Sequence, residues 1–542
     1  MKRAFTSLIA LCLILISTPA QAGTDQGNFA LSWWPTTPSL GFMSKEVILP
    51  TINSWSYIKG LSPQQSGGLY TIEKSCLSVS DPACSDATSI FANIYLPPCE
   101  TKQSPMCVKS LEVGEDGREA TFVRQVSSKT TPADTARNLP FGGGISLWKN
   151  SDGRLYSTAV RINYQSFTNQ DCVKLSKSCQ FQLSALNATV FPVTLQEGNY
   201  TPSSEKDLQS NSENYGCAWS DTKICARLDQ SAPLSRIALT IDIDKNLSGF
   251  LNGRMRDVSL SLTPQSDSIS RLRVSGIPVD VPSIYATVPT SELSQNPGIN
   301  NYWKTSRADL YQSDISGSAP VIIGPPPGFN MGIYDAFSEK VQPGEVINNL
   351  WRFTSSLTPV DSTSCFKDGT AVLGLVTTNA SAYTAGPPSF NAAEGSIDYQ
   401  VGGAHLLPDG SVFKGTYDLT LRSDVARCLY KFSQAPIRAT ISILGEQKDA
   451  ATISQNEANG WLTVHAANFT FSKPTIRIKL QQENAAQPAA QPAAQPAAQP
   501  AAQPAAVSSK PAAKISITCV KGKTSKKITA VNPTCPAGYK KK

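Results

Sequence analysis

The chain reads as mostly β: two β-sandwich-like domains, disulfide-stapled, with a disordered Ala/Gln/Pro linker and a small C-terminal hairpin. Three observations predict this. Apolar and polar residues alternate with a period of two in run after run, as in Ile237, Leu239, Ile241 and Ile243 with Thr240, Asp242 and Asp244 among them. Charged residues make up only 16% of the chain, too few for long helices held by charge pairs. Most of the 13 cysteines fall in close pairs, as in small loops closed by disulfides.

Taken in order, residues 1–22 read as a leader peptide. Lys2 and Arg3 precede the apolar run Leu8–Ile16, and Ala20-Gln21-Ala22 gives a small-x-small cleavage site before Gly23. That run falls short of the roughly 20 residues a membrane span needs, and no later run approaches that length. No transmembrane segment is therefore expected in the mature chain, and the expected location is secreted or the extracellular face of the cell envelope.

Residues 23–140 form an irregular, Cys-containing N-terminal region, with strand-like alternation only near Ser89–Leu96 and Val108–Val113. A first β-sandwich-like domain spans 141–288. It opens at the turn Asn150-Ser151-Asp152-Gly153, and Val258, Leu260 and Leu262 repeat the alternation further on. Residues 289–345 read as a connector. Gly324-Pro325-Pro326-Pro327-Gly328 reads there as loop or polyproline, and Arg307–Gln312 as a short helix with Ser306 as N-cap. A second β-sandwich-like domain covers 346–482, with alternation in Tyr417–Leu421, Ile437–Ile443, Leu462–Ala466 and Ile476–Leu480. Pro408-Asp409-Gly410 and Asn459-Gly460 supply turns.

Composition then changes. Five Gln-Pro-Ala-Ala repeats fill Gln487–Ala506 within a linker at 483–506; twenty residues at ~3.1 Å each reach roughly 60 Å. Residues 507–542 read as a hairpin tail. It holds nine lysines (Lys510, Lys514, Lys521, Lys523, Lys526, Lys527, Lys540, Lys541 and Lys542) and no Asp or Glu. The whole chain carries +7, so the rest sums to −2, and to −4 once Lys2 and Arg3 leave with the leader.

Cys12 falls in the leader, and twelve cysteines remain. The spacings suggest Cys76 with Cys84, Cys99 with Cys107, Cys172 with Cys179, Cys217 with Cys225, Cys365 with Cys428 and Cys519 with Cys535. Partners among Cys76, Cys84, Cys99 and Cys107 stay open, and Cys365–Cys428 is expected to link two strands. No pair has C-x2-C spacing and only two histidines exist, which argues against zinc knuckles.

Gly410–Ile443, Asn459–Leu480 and the tail ITCVKGKTSKKITAVNPTCPAGYKKK resemble segments of uncharacterised exported actinobacterial proteins. The resemblance covers the last third of the chain well and the middle loosely. It implies a Gram-positive envelope setting and no activity.

Catalytic chemistry has little to stand on. His405 reads as a strand-end residue and His465 as lying on the outward face of its strand, and neither serves a G-x-S-x-G elbow. No H-E-x-x-H occurs, so no catalytic, cofactor-binding or metal-binding residue is assigned and no cofactor is expected. Asp242-x-Asp244-x-Asn246 opens like a calcium loop, but Leu247 and Gly253 stand where that loop needs Gly and Glu. Trp33, Trp34, Trp55, Trp148, Trp219 and Trp303 are candidates for sugar stacking or, more simply, core anchors.

The expectation is a secreted or cell-surface, non-enzymatic envelope protein with a structural or binding role. Its lysine tail would meet an anionic cell-wall polymer or phospholipid surface rather than nucleic acid. The alternative is a secreted carbohydrate-active protein, glycan-binding or glycoside-hydrolysing, because a glycosidase needs only two well-placed carboxylates.

Overall fold

The computed structural model describes residues 37–46, 54–63, 71–76, most of 78–126, 129–168, 180–200, most of 217–306, 321–324, 331–356, 365, most of 372–431, 437–444, 452–471 and 475–482; in the tail it describes 515–521, 524–530, 535 and 539–541. The chain is mostly β and divides into two compact units, Met1–Asn484 and Ala485–Lys542. The leader, Trp33-Trp34, the Cys172/Cys179 pair, the segment 307–312, the proline run after Gly324 and the repeat linker lie outside the described residues.

Among the described residues of the first unit, 18 strands form one hydrogen-bonded network, with a five-stranded sheet against each of two regions of it. The first of these sheets holds the strands Arg256–Pro264, Ile269–Ile277, Ile237–Asp244, Cys107–Val113 and Arg118–Glu119. Its apolar face (Leu239, Ile241, Leu272, Val274, Leu111) closes a core with Ile94, Val160, Ile162, Val190 and Trp351 of the large network. The second sheet includes Ser396–Gly402, Thr475–Gln482 and Ile437–Leu444. From it, Ile397, Tyr399 and Val401 meet Tyr417, Leu419, Leu462 and Val464 in a second core. These are two sandwich-like packings, and both use the large network as one layer.

The strand Val372–Thr378 shows how the two cores join. It is buried along its whole length, giving Val372 and Leu375 to the first core and Leu373 and Val376 to the second. Gly374 lies against the Phe250 ring and the Thr420 carbonyl, where a Cβ would collide with both. Pairing also crosses the borders that composition suggests. Gly249–Arg254 pairs in parallel with Val372–Thr378, and Gln182–Glu197 pairs antiparallel with Gln342–Ser356 through Val190 and Trp351.

The N-terminal region is more regular than its composition indicates. Ser39–Ser44 is a fully buried strand between Val279–Pro289, antiparallel, and Val321–Gly324, parallel. Beside it the segment after residue 289 builds a core of its own. The helix Pro297–Ser306 buries Trp303 against Phe337 of the helix Met331–Phe337, with ring centroids 6.0 Å apart. Pro297, whose fixed φ suits a first helical position, opens this helix, and Ser306 is its last residue.

Four disulfides are described: Cys76–Cys84, Cys99–Cys107, Cys217–Cys225 and Cys365–Cys428. The choice left open between Cys76 and Cys107 resolves into two local loops. Cys428 lies on the helix Ser423–Tyr430, not on a strand as expected; Val425, Ala426 and Leu429 bury its inner face.

In the second unit Ile515–Lys521 pairs with Thr524–Ala530 and with a third strand, Lys540–Lys541. Cys535 is disulfide-bonded. Of the tail lysines, 510, 514, 523 and 542 lie outside the described residues.

Candidate functional site

An open cleft of about 720 Å³ lies where the 237–277 sheet meets the 414–470 strands. The Asn459-Gly460 turn shapes one wall. Both residues take positive φ, 53° and 80°, as a type I′ hairpin turn requires. The turn is pinned by the Ser423 backbone N–H, which donates to the Gly460 carbonyl at 2.8 Å. Trp461 follows at once, directly opposite Arg422 in the strand pairing, and it packs against the first core. Arg422 grips Asp424 with two bonds, Nε to Oδ1 at 3.0 Å and Nη2 to Oδ2 at 2.5 Å. The facing wall carries Lys245, Leu262 and Asp267.

This is a polar cleft with one aromatic wall and two carboxylates. The Arg422 hydrogen bonds hold the Asp424 carboxyl below the usual carboxylate range. A general acid for glycosidic cleavage needs the opposite shift, so Asp424 is suited to binding hydroxyl donors and not to protonating a leaving group.

A second cluster sits on the same strands, deeper between the layers. His465 lies opposite Asp418 in register, and its Nδ1 donates to Asp418 Oδ1 at 2.9 Å. Its Nε2 lies 3.7 Å from Asp257 Oδ1, on the strand Arg256–Pro264. His465 is thus not on an outward face; the 256–264 strand covers that face. Hydrogen bonding to Asp418 raises the imidazole above its ordinary range. Burial raises the Asp418 carboxyl, a shift the His465 contact opposes.

The other sequence candidates are structural. Asp242 does not face solvent freely: Arg271 holds both of its oxygens, at 2.7 and 2.8 Å. Cys99 and Cys107, close to Asp242, are spent in a disulfide. Trp148, Trp219 and Trp303 are core residues, 0–2% exposed. Trp148 and Trp219 give their indole N–H to Thr158 and Ser157. Trp55 stacks edge-on to Tyr57, with the Lys129 ammonium 5.1 Å from its ring. His405 is exposed, in the loop before Leu406. Trp461, the aromatic that does line a cleft, had one signal in the sequence: it follows an Asn-Gly turn, where a strand begins at the rim of the sheet.

Fold and disulfides define a mostly β, disulfide-stapled protein in which, among the described residues, no helix is long and apolar enough to cross a membrane. No protein family, curated protein or solved structure matches the chain.

Proposed function

We propose that this is an exported, non-enzymatic binding protein of a Gram-positive cell envelope, secreted or displayed on its outer face, and held at an anionic wall polymer or phospholipid surface by its lysine-rich tail. The observation that carries the reading is the segregation of charge: nine lysines without an acid after residue 506, against a body of −4. In sequence those lysines follow the Gln-Pro-Ala-Ala repeats, a segment of roughly 60 Å reach. The body itself is weakly repelled by an anionic surface, so electrostatic attraction resides in the tail. Disulfides belong to oxidising compartments, which suits this location. The test is sedimentation of the mature chain with purified cell walls and with phosphatidylglycerol vesicles. Binding is expected at low salt and release as ionic strength rises, because exposed charges are screened over roughly 8 Å at physiological salt.

The cleft favours one form of the alternative reading, carbohydrate binding over carbohydrate hydrolysis. Trp461 offers an apolar face to a sugar ring, and the Arg422–Asp424 pair and Asp267 offer hydrogen bonds around it. Replacing Trp461 by alanine is expected to weaken binding of soluble oligosaccharides about tenfold, ~1.4 kcal/mol, with no glycosidic cleavage by either protein. Equal binding by both proteins on a glycan array removes the cleft from this reading; release of reducing sugar by the wild type removes the non-enzymatic one.

A further inference from the structure

We infer that the doubly protonated ring of His465 latches together the two layers that wall the cleft, by holding Asp418 in its own layer and Asp257 in the facing one, and that this latch weakens as pH rises. The two carboxylates meet opposite nitrogens of one ring. Asp418 Oδ1 lies 2.9 Å from Nδ1, and Asp257 Oδ1 lies 3.7 Å from Nε2, at ion-pair distance. A neutral imidazole has a single N–H and would turn a lone pair toward one of the carboxylates, whereas an imidazolium donates from both nitrogens. The latch stands beside the cleft. Arg422 ends the strand of Asp418, Trp461 opens that of His465, and the strand of Asp257 carries Leu262 and Pro264.

The facing layer departs from regular pairing at this contact. The strand Arg256–Pro264 shifts register against Ile269–Ile277 between Arg256 and Ser259, and Asp257 there takes φ 52°. A bulge re-aims a side chain, and aspartate is among the few residues that tolerate the left-handed region. The same bulge brings the Val258 backbone N–H to the Asp418 carboxyl. Asp418 is 1% exposed, and a carboxylate buried so deeply needs a paired charge, which the imidazolium supplies. Charged groups facing the ring from the packed strands are Asp418, Asp257 and Arg256. Arg256 opposes protonation, but its Nη1 donates to Asp257 Oδ2 at 2.8 Å and leaves Oδ1 toward the histidine. On the other side of His465 the strand Thr452–Ala458 places the uncharged Ser454. The hydrogen bond to Asp418, and then the charges of Asp418 and Asp257, raise the imidazole above its ordinary range against the effect of burial. A proton held more tightly by the folded than by the unfolded chain stabilises the fold below the ordinary imidazole value. That contribution is lost as pH rises through the folded value.

The chain contains two histidines, so His405→Ala leaves one ring to assign. The test follows the ring nitrogens of His465 by NMR in the mature full-length protein from about pH 5.5 to about pH 9, the span over which imidazoles titrate. Below the midpoint both nitrogens should carry protons, and the midpoint should lie above 6.5. In Asp257→Asn it should move to lower pH. Urea unfolding should show the wild type more stable than Asp257→Asn at the acidic end, with the gap between their urea midpoints narrowing as pH passes the His465 midpoint. Asp257 is 37% exposed, so this variant is expected to fold; circular dichroism checks it, and the wild-type ring titration carries the test if it does not. The inference is overturned if the ring stays singly protonated across the range or titrates below 6.5. It is overturned equally if Asp257→Asn leaves the midpoint in place, or if the stability gap does not change with pH.

Discussion

Replacing Arg254 by alanine should lower the unfolding free energy by roughly 3–5 kcal/mol, the cost of breaking a buried ion pair from one side. Arg254 ends the strand Gly249–Arg254 and is wholly buried. Its Nε donates to Glu46 Oε1 at 2.6 Å, and its Nη1 to the carbonyls of Thr378 and Ala380 at 2.8 and 2.6 Å. The guanidinium lies 4.4 Å from the Tyr383 ring centroid. One side chain thus joins the N-terminal strand segment, the large sheet and the loop after Val372–Thr378. Its loss leaves Glu46 buried with Arg352 as its remaining partner, 2.6 Å from Oε2, and strands two carbonyls. Lysine cannot reproduce a planar fork, so Arg254→Lys should recover only part of the loss. Urea unfolding followed by circular dichroism measures both, and a loss below about 1 kcal/mol for the alanine variant contradicts this role.

The second large effect should come from Cys365–Cys428. It closes a separation of 63 residues, against 8 for Cys76–Cys84. In the chain-entropy picture the long loop is worth about 4 kcal/mol and the short one about 2.5 kcal/mol. It also ties down the helix Ser423–Tyr430, which ends at Lys431 in the left-handed region with φ 52° and begins at the Arg422–Asp424 wall of the cleft. The double variant Cys365→Ser/Cys428→Ser is expected to lose more stability than Cys76→Ser/Cys84→Ser, and also to weaken ligand capture at Trp461. The reverse order of stability losses contradicts the account.

Much of this architecture was legible wherever one strand face is polar. The alternation in Ile237–Asp244, Lys414–Arg422, Ile437–Leu444, Trp461–Thr470 and Thr475–Gln482 marks those strands directly. Ser39–Ser44 and Val372–Thr378 were hidden because both of their faces are buried, which erases the period of two. Covering of a second face also explains the misplaced polar residues: His465 and Asp242 alternate with core residues, yet another layer or an arginine meets each of them. The helix Ser423–Tyr430 was short enough for its pattern to pass as loop. In the cleft, the Asn459-Gly460 turn could be read, but its approach to Asp267 depends on strand pairing between distant segments. The juxtaposition of Asp257, Asp418 and His465 depends on the same pairing, which no local pattern encodes.

The central claim is that the lysine tail, and not the body, holds the protein to its surface. The direct measurement is the fraction sedimenting with purified cell walls for the mature chain and for a truncation lacking residues 507–542, each across a salt series. The full chain should bind at low salt and detach as salt approaches molar concentration. The truncation should stay in the supernatant throughout, with an unchanged circular dichroism melt. A truncated protein that remains wall-bound, or full-length binding indifferent to molar salt, contradicts the account.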